Sequence, residues 1–197
     1  MRAPAFWLGF ALGGFFDGIL LHQVLQWHHL LSLWAPVKDL RFHVMWDGVF
    51  HAAHYAIAAL ALVVLWRRRH EAAQEGAGRL MAGWASLGFA GWHVLDVVLN
   101  HWILRMHRTR LDVDDPLVWD LGLLGIGVAA GVIGWLILRR TGTAAGRGAA
   151  AGLTALTLAA APAAVPPPRD PDPLVAELLG GGVLPAFCAN WTRIAER

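Results

Sequence analysis

The strongest constraint on this fold is an apolar helix that carries ionisable side chains at positions repeated later in the chain. Three residues recur at one fixed offset, which we call the repeat offset: Asp17, His22 and His28 as Asp96, His101 and His107. Two neighbouring pairs recur as well, at the same or a slightly shorter offset: Gly9-Phe10 as Gly88-Phe89, and Trp46-Asp47 as Trp119-Asp120. The spacing therefore predicts two repeated helix pairs, each giving one set of polar groups to a common site.

Composition places the chain in a membrane. Hydrophobic residues make up 57% of it and charged residues 15%, with a mean hydropathy of +0.49, values that are unusual for a soluble domain. Five apolar segments each have about the 20 residues needed to cross a hydrocarbon core: 5–33, 46–66, 79–104, 117–138 and 147–165. We therefore predict an all-α, multi-pass transmembrane bundle of four core helices with a fifth transmembrane helix.

The predicted domain organisation has three parts. Residues 1–140 form a four-helix domain that contains the polar site, residues 141–166 hold the fifth helix, and residues 167–197 form a proline-rich linker and an external tail. The prolines from Pro166 to Pro173 cannot continue a helix. Cys188 is the one cysteine, so an intrachain disulfide and a Cys-x-x-Cys metal motif are excluded, and we expect it to be buried and inert.

The basic residues predict how the chain is oriented. Seven of them lie in the second and fourth connections: Arg67, Arg68, Arg69, Arg79, Arg139, Arg140 and Arg147. By the positive-inside rule these connections are cytoplasmic, so the amino terminus is cytoplasmic and the tail is external. We expect a multi-pass protein of the cell (inner) membrane. Because the net charge of only +2 comes from the ends of apolar runs, no nucleic-acid partner is expected.

With this topology, the ionisable residues of the helices gather toward the external face. Because such groups are costly inside a membrane, eight histidines and four aspartates on one side favour a functional site over packing. Asp47, His51 and His54 share one helical stripe, which is a ligand spacing. The predicted metal-site residues are His22, His51, His54 and His101 as nitrogen ligands, Asp17, Asp47 and Asp96 as oxygen ligands or partners of the ligands, and His28 and His107 at the boundary.

The phase of the first helix bears on how many ions are needed. At about 100° per residue, Asp17 and His28 share one face of an α-helix, whereas His22 lies on another. One ion could not collect all these groups on such a helix. We therefore expect two metal ions, or one ion surrounded by a hydrogen-bonded network.

Two stretches resemble a known family signature. Gly14–His29 reads Gly-Phe-Phe-Asp-Gly-Ile-Leu-Leu-His-Gln-Val-Leu-Gln-Trp-His-His, and Trp46–His51 reads Trp-Asp-Gly-Val-Phe-His. Both resemble a domain-of-unknown-function family of predicted prokaryotic multi-pass membrane proteins. The resemblance covers residues 1–138 and implies a four-helix membrane domain without an established activity. Members of that family tend to have Asn and Glu at the positions of His93 and Asp96, and a second His at that of Arg108.

The leading functional interpretation is an outward-facing metal site, belonging to a metal-dependent oxidoreductase or hydrolase. Mixed imidazole and carboxylate ligands suit Zn, Fe or Mn, and imidazole alone also accepts Cu. One alternative is a haem-binding electron carrier with His22 and His101 as axial ligands, although haem does not need the neighbouring carboxylates. Another is a metal or proton transporter, or an assembly factor for a metalloenzyme. The lipid bilayer is the expected partner, together with a homo-oligomer or a membrane complex.

The predicted orientation is tested by topology reporters. Reporters fused after Arg69 and Arg140 are expected to score cytoplasmic, and those after Lys38 and Asp114 external, because the basic connections stay inside. An inverted pattern would place the site on the cytoplasmic face.

Overall fold

The computed structural model of this chain describes residues 1–35 and 38–140. Four helices in it are long and apolar enough to cross a membrane: Arg2–Val24, Leu40–Arg67, Ala77–Ile103 and Pro116–Arg139. They confirm the all-α membrane bundle and correspond to the first four predicted segments. No strand occurs among the described residues. The predicted fifth helix, the linker and tail, and Cys188 lie outside them.

Two of the four membrane helices change character toward one end of the bundle, which we call the polar end because His22 and His101 lie toward it. The elements are α1 (Arg2–Phe15) continued by the π-helix π1 (Phe16–Val24), α2 (Leu40–Arg67), the short α3 (Arg69–Ala72), α4 (Ala77–Leu95) continued by the π-helix π2 (Asp96–Ile103), and α5 (Pro116–Arg139). The first membrane helix therefore ends at Val24, well before residue 33, where the predicted segment ended.

Aspartate caps begin both membrane helices that start at the polar end of the bundle. The Asp39 side chain accepts a hydrogen bond from the Phe42 backbone N–H at 2.9 Å, which starts α2 well before the predicted segment. Asp115 accepts from the Leu117 N–H at 3.0 Å, and Pro116 occupies the first turn of α5. As a result His43, expected in a connection, belongs to α2 and is only 8% exposed.

The central contact of the bundle is between α1 and α4. α2 packs on α1, and α5 packs on α4. Where α1 and α4 cross, Gly9 lies against the Ala85 carbonyl and Gly88 lies against the Phe6 carbonyl, so a Cβ at either glycine would overlap the facing backbone. Lipid gives no hydrophobic drive for helix association, and such close backbone packing takes its place.

The two π-helices end in the same way. Gln26 and Arg105, which are separated by the repeat offset, have positive φ angles of 51° and 52°, which non-glycine residues seldom adopt. Wide backbone hydrogen bonds close each turn: Leu25 N–H to Leu20 O at 2.8 Å and Trp27 N–H to Leu21 O at 3.0 Å, then Leu104 N–H to Leu99 O at 2.7 Å and Met106 N–H to Asn100 O at 2.8 Å. Each turn redirects the chain across the polar end of the bundle.

The outward faces of the membrane helices are apolar. Leu60 and Trp66 of α2 are 68% and 71% exposed, and Val118 of α5 is 62% exposed. Large apolar side chains at this exposure are expected where the surrounding solvent is lipid. The four helices thus indicate a lipid bilayer environment.

The close crossing of α1 and α4 predicts a contrast between two glycine substitutions. Gly9→Ala is expected to destabilise the protein by about 1–3 kcal/mol, because its methyl group forces the two backbones apart. The matched control is Gly125→Ala on α5, where a Cβ meets nothing within 4 Å and the change is expected to stay within about 0.5 kcal/mol. Unfolding of the detergent-solubilised variants measures both, and equal effects would contradict the crossing.

Candidate metal centre

Four imidazoles meet at the polar end of the bundle, beyond the last residues of α1 and α4, and none is more than 2% exposed. His22 lies on π1 and His101 on π2, while His28 and His107 follow the two positive-φ turns. Neighbouring ring centroids are 4.4–4.6 Å apart, and the His28 and His107 rings are stacked nearly parallel at 4.5 Å. This packing puts four ring edges around a common centre.

Backbone carbonyls define the protonation of the two boundary imidazoles. His28 Nδ1 lies 2.9 Å from the Thr109 carbonyl oxygen, and His107 Nδ1 lies 3.0 Å from the Leu30 carbonyl oxygen. A carbonyl can only accept, so each Nδ1 carries a proton and donates it. Burial lowers the pKa of His107, and burial together with the neighbouring imidazoles lowers the pKa of His28 well below its usual range. Both are neutral, with a lone pair on Nε2.

A buried carboxylate orients His22. Asp47 Oδ1 lies 3.1 Å from His22 Nδ1. Asp47 also accepts the Leu30 backbone N–H at 2.9 Å and lies 2.6 Å from His29 Nδ1. The carboxylate therefore fixes the His22 ring with its Nε2 toward the centre, as partners of metal-binding histidines do.

A second buried carboxylate does the same for His101. Asp120 Oδ1 lies 2.8 Å from His101 Nδ1 and accepts the Thr109 backbone N–H at 3.0 Å. Its other oxygen accepts from Trp102 Nε1 at 3.1 Å and from the Arg108 guanidinium. Arg108 and Thr109 follow His29 and Leu30 at the repeat offset, so equivalent positions hold Asp47 and Asp120.

Two more carboxylates face the free Nε2 atoms. Asp17 Oδ2 lies 3.7 Å from His22 Nε2, and Asp17 Oδ1 lies 3.8 Å from His28 Nε2. Both distances are too long for hydrogen bonds. Asp17 is 1% exposed, and neither of its oxygens has a hydrogen-bond partner among the described residues.

Asp96 takes the corresponding place in the other half. Its oxygens lie 3.0 Å from His101 Nε2 and 3.5 Å from His107 Nε2, and Asn100 Nδ2 donates to it at 2.8 Å. Each half of the bundle thus brings one carboxylate and two imidazoles together. These are the six residues of the repeated spacing.

The Nε2 atoms of His22, His28 and His107 are buried without hydrogen-bond partners in the described part of the chain, and that of His101 faces Asp96 at 3.0 Å. Donor atoms within 4.8 Å of one another form two groups able to hold a metal ion: His22, His28 and His107, and Asp96, His101 and His107. Lone pairs that converge without a proton between them repel each other, and a cation at the centre removes that repulsion. The donor set therefore fits a transition-metal ion.

The π-helices explain why Asp17 and His22 lie together. In a π-helix the backbone hydrogen bonds join residues i and i+5, so the side chains at these two positions lie above one another. Both Asp-x4-His pairs have that spacing. The expectation that His22 faces away from Asp17 assumed a regular α-helix and was wrong. The same five-residue spacing in both copies was the available signal.

His51 and His54 of α2 do not belong to either group of donor atoms. The His54 ring lies against Gly14 of α1, its Nδ1 donates to the Phe50 carbonyl at 2.9 Å, and the Phe50 and Trp92 ring centroids lie 4.4–4.5 Å from its own. His51 lies against Gly18. Of the predicted stripe, only Asp47 contacts one of the four central histidines.

The sequence interpretation missed several residues of this arrangement. Asp120 was recognised as the counterpart of Asp47 but was not chosen as a site residue. The Leu30 and Thr109 carbonyls had no signal in their side chains, because backbone atoms act there. The sequence does contain one sign of their shared role, because Leu30 and Thr109 are separated by the repeat offset.

The connections at the polar end cover the four imidazoles and are bonded to each other. The Leu33 N–H donates to the Met106 carbonyl at 2.8 Å, and Trp34 Nε1 donates to the Leu104 carbonyl at 2.9 Å. Arg110 lies over Trp119 at 4.8 Å from the ring centroid. These contacts close the polar end of the bundle.

Residues 4–141 match the family described as "Predicted membrane protein (DUF2243)", and the chain belongs to this family of unknown function. No curated protein and no solved structure matches the chain.

The buried Arg108–Asp120 pair predicts unequal costs for two aspartate substitutions. Asp120→Asn is expected to destabilise the protein by about 3–5 kcal/mol, because the Arg108 charge is left buried without its partner. Asp112→Asn, which removes a 61% exposed carboxylate paired with Arg110, is the control and is expected to cost about 1 kcal/mol or less. Unfolding in detergent measures both, and equal costs would argue against a buried charge pair.

Proposed function

We propose that this member of a predicted membrane protein family is a metalloprotein that holds two metal ions between the halves of its bundle. One ion is bound by Asp17, His22 and His28. The other is bound by the equivalent residues Asp96, His101 and His107, and Asp47 and Asp120 orient the ligands. We place the protein in the cell (inner) membrane with this site toward the external face.

The observation that carries the proposal is the buried Nε2 atoms of His22, His28 and His107, which face one another without hydrogen-bond partners, whereas His101 Nε2 lies 3.0 Å from Asp96. Protonation alone satisfies them poorly. A proton on His28 Nε2 would reach only Asp17 at 3.8 Å, and one on His22 Nε2 only the same residue at 3.7 Å. A metal ion satisfies several lone pairs at once.

The charge of the site favours a bound cation. Four aspartates of the site are no more than 1% exposed, and Arg108 is the one buried arginine among the described residues. A proton shared by His101 between Asp96 and Asp120 offsets only part of the remaining negative charge, which is costly inside a membrane. A divalent ion offsets most of that charge, and the repeated ligand set provides the place for a second ion.

The internal repeat is part of this proposal. Support comes from reciprocal contacts at the repeat offset: Gly9 on Ala85 and Gly88 on Phe6, then His28 on Thr109 and His107 on Leu30. Contacts that exchange in this way are expected around an approximate twofold axis. We infer that the axis runs along the membrane normal between α1 and α4.

The ligand set and its burial favour an oxidoreductase. Two imidazoles and one carboxylate are typical ligands of non-haem iron, which supplies activation of dioxygen when bound. The His and Asp side chains of the site would hold and orient the iron ion, and the connections that cover the site would exclude water. A hydrolase with Zn or Mn needs water at the site, and a Cu site does not need Asp17 and Asp96.

The two alternative functions find less support. A haem would need a slot between His22 and His101, and the rings of His28 and His107 fill that space, with His28 and His101 centroids 6.1 Å apart. A transporter needs polar groups through the whole bundle. Among the described residues, no buried histidine or aspartate lies nearer the inner helix ends than His54 and His93, which are near the helix midpoints.

The geometry predicts that two buried histidines differ in their effect on metal content. His107→Ala is expected to lower the metal content to about half or less, because His107 is a ligand of the second ion and also lies beside His22 and His28 of the first. His54→Ala is expected to retain it, since His54 lies outside both groups. Elemental analysis of protein purified without chelators measures the metal per chain, with iron expected in the wild type.

Thermal unfolding of the same two variants serves as the control for folding. Loss of metal in His54→Ala at unchanged stability would favour the sequence-based ligand set, with His51 and His54, over the six residues named above. A folded wild-type protein without any metal would end the proposal. The network would then be an ionic one that stabilises the bundle.

A further inference from the structure

The first half of the bundle has a second pair of imidazoles outside the metal centre. His29 lies one residue beyond His28, and its ring stacks on that of His43 with centroids 5.3 Å apart and planes 21° apart. The His29 side chain is 21% exposed, whereas His28 is buried. One short loop therefore carries an outer and an inner imidazole next to each other.

His43 has a nitrogen that nothing in the described chain uses. The residue is 8% exposed, and its Nδ1 is buried without a hydrogen-bond partner. His29 keeps its Nδ1 on Asp47 at 2.6 Å and its side chain is partly exposed, so that bond leaves Nε2 for another partner. Two imidazoles beside a buried carboxylate are a donor set that suits a divalent transition-metal ion.

The second half lacks this arrangement. Arg108, the counterpart of His29 at the repeat offset, bonds Asp120 in the place where His29 bonds Asp47. A guanidinium offers no lone pair and keeps its positive charge, so it repels an approaching cation. At the shorter offset that relates Trp46-Asp47 to Trp119-Asp120, the counterpart of His43 is Pro116, whose side chain has no ligand atom. A cation can therefore be captured on the first half alone.

We propose that His29 and His43 form an uptake site, which captures a divalent transition-metal ion from the outer side and passes it to the buried centre. This rests on the proposed function of that centre. The transfer is short, because the receiving ligand His28 is the next residue in the chain. The His29 and Leu30 bonds to Asp47 hold this loop in place, so release of the His29 bond frees the loop for the transfer.

Loading kinetics separate uptake from final binding. Chelator-treated full-length protein in detergent is mixed with Co²⁺, and the visible absorption of bound cobalt is followed with time. The His43→Phe variant keeps an aromatic ring beside His29 but removes both nitrogens. We expect it to load on the order of tenfold more slowly, because capture near the site no longer raises the local ion concentration. Its final cobalt content is expected to equal that of the wild type.

The controls make each outcome decisive. His70→Phe alters an exposed histidine of α3 at the inner end and is expected to load as the wild type does. If His43→Phe unfolds at a lower temperature, His43→Asn provides the test with a smaller polar side chain. Loading of the folded variant at the wild-type rate, or a lower final content, would overturn the uptake role. A wild type that binds no cobalt would refute the metal centre itself.

Discussion

The arrangement of this protein depends on burying four carboxylates inside an apolar bundle. A carboxylate in that environment must be surrounded by donors or cations. Asp47 and Asp120 meet this need by gathering imidazoles from the two π-helices and backbone N–H groups from the loops that follow them, which ties α2 and α5 to the first and third membrane helices. Because the loops must supply those donors, they lie flat over the bundle and close it. Asp17 accepts no hydrogen bond from the described residues, so its buried charge requires a proton or a cation at the centre.

The π-helices make this arrangement possible. Their wider turns bring His22 over Asp17 and His101 over Asp96, which a regular α-helix would leave on different faces. Each π-helix then ends in a left-handed residue, and the chain crosses to the other half before placing its second histidine. Crossing is what lets His28 donate to Thr109 and His107 to Leu30. Each half therefore completes the hydrogen bonds of the other, and a single half could not form the centre.

The sequence predicted the parts that follow from regular periodicity and composition. Apolar runs gave the four membrane helices, and the repeat offset selected the six central residues without any coordinates. The helical stripe gave His51 and His54 the same weight as His22, because helical spacing alone cannot say which neighbour α2 meets. In the structure His54 and His51 face Gly14 and Gly18, which have no side chain to bind a metal ion. The π-helices were not predicted, because the sequence interpretation assumed an α-helical period.

The two halves share a geometry but differ in chemistry. Asn100 donates to Asp96, and its counterpart at the repeat offset is the apolar Leu21, so Asp17 is the less satisfied carboxylate. Trp102 and Arg108 hold Asp120 with an indole and a permanent cation, where Gln23 and His29 hold Asp47 with a longer 3.5 Å contact and an imidazole. Similar backbones thus surround one firmly bonded carboxylate and one whose partners are exchangeable. A symmetric pair of His/Asp sets thus has asymmetric surroundings, which is why we propose the first half as the place of ion uptake.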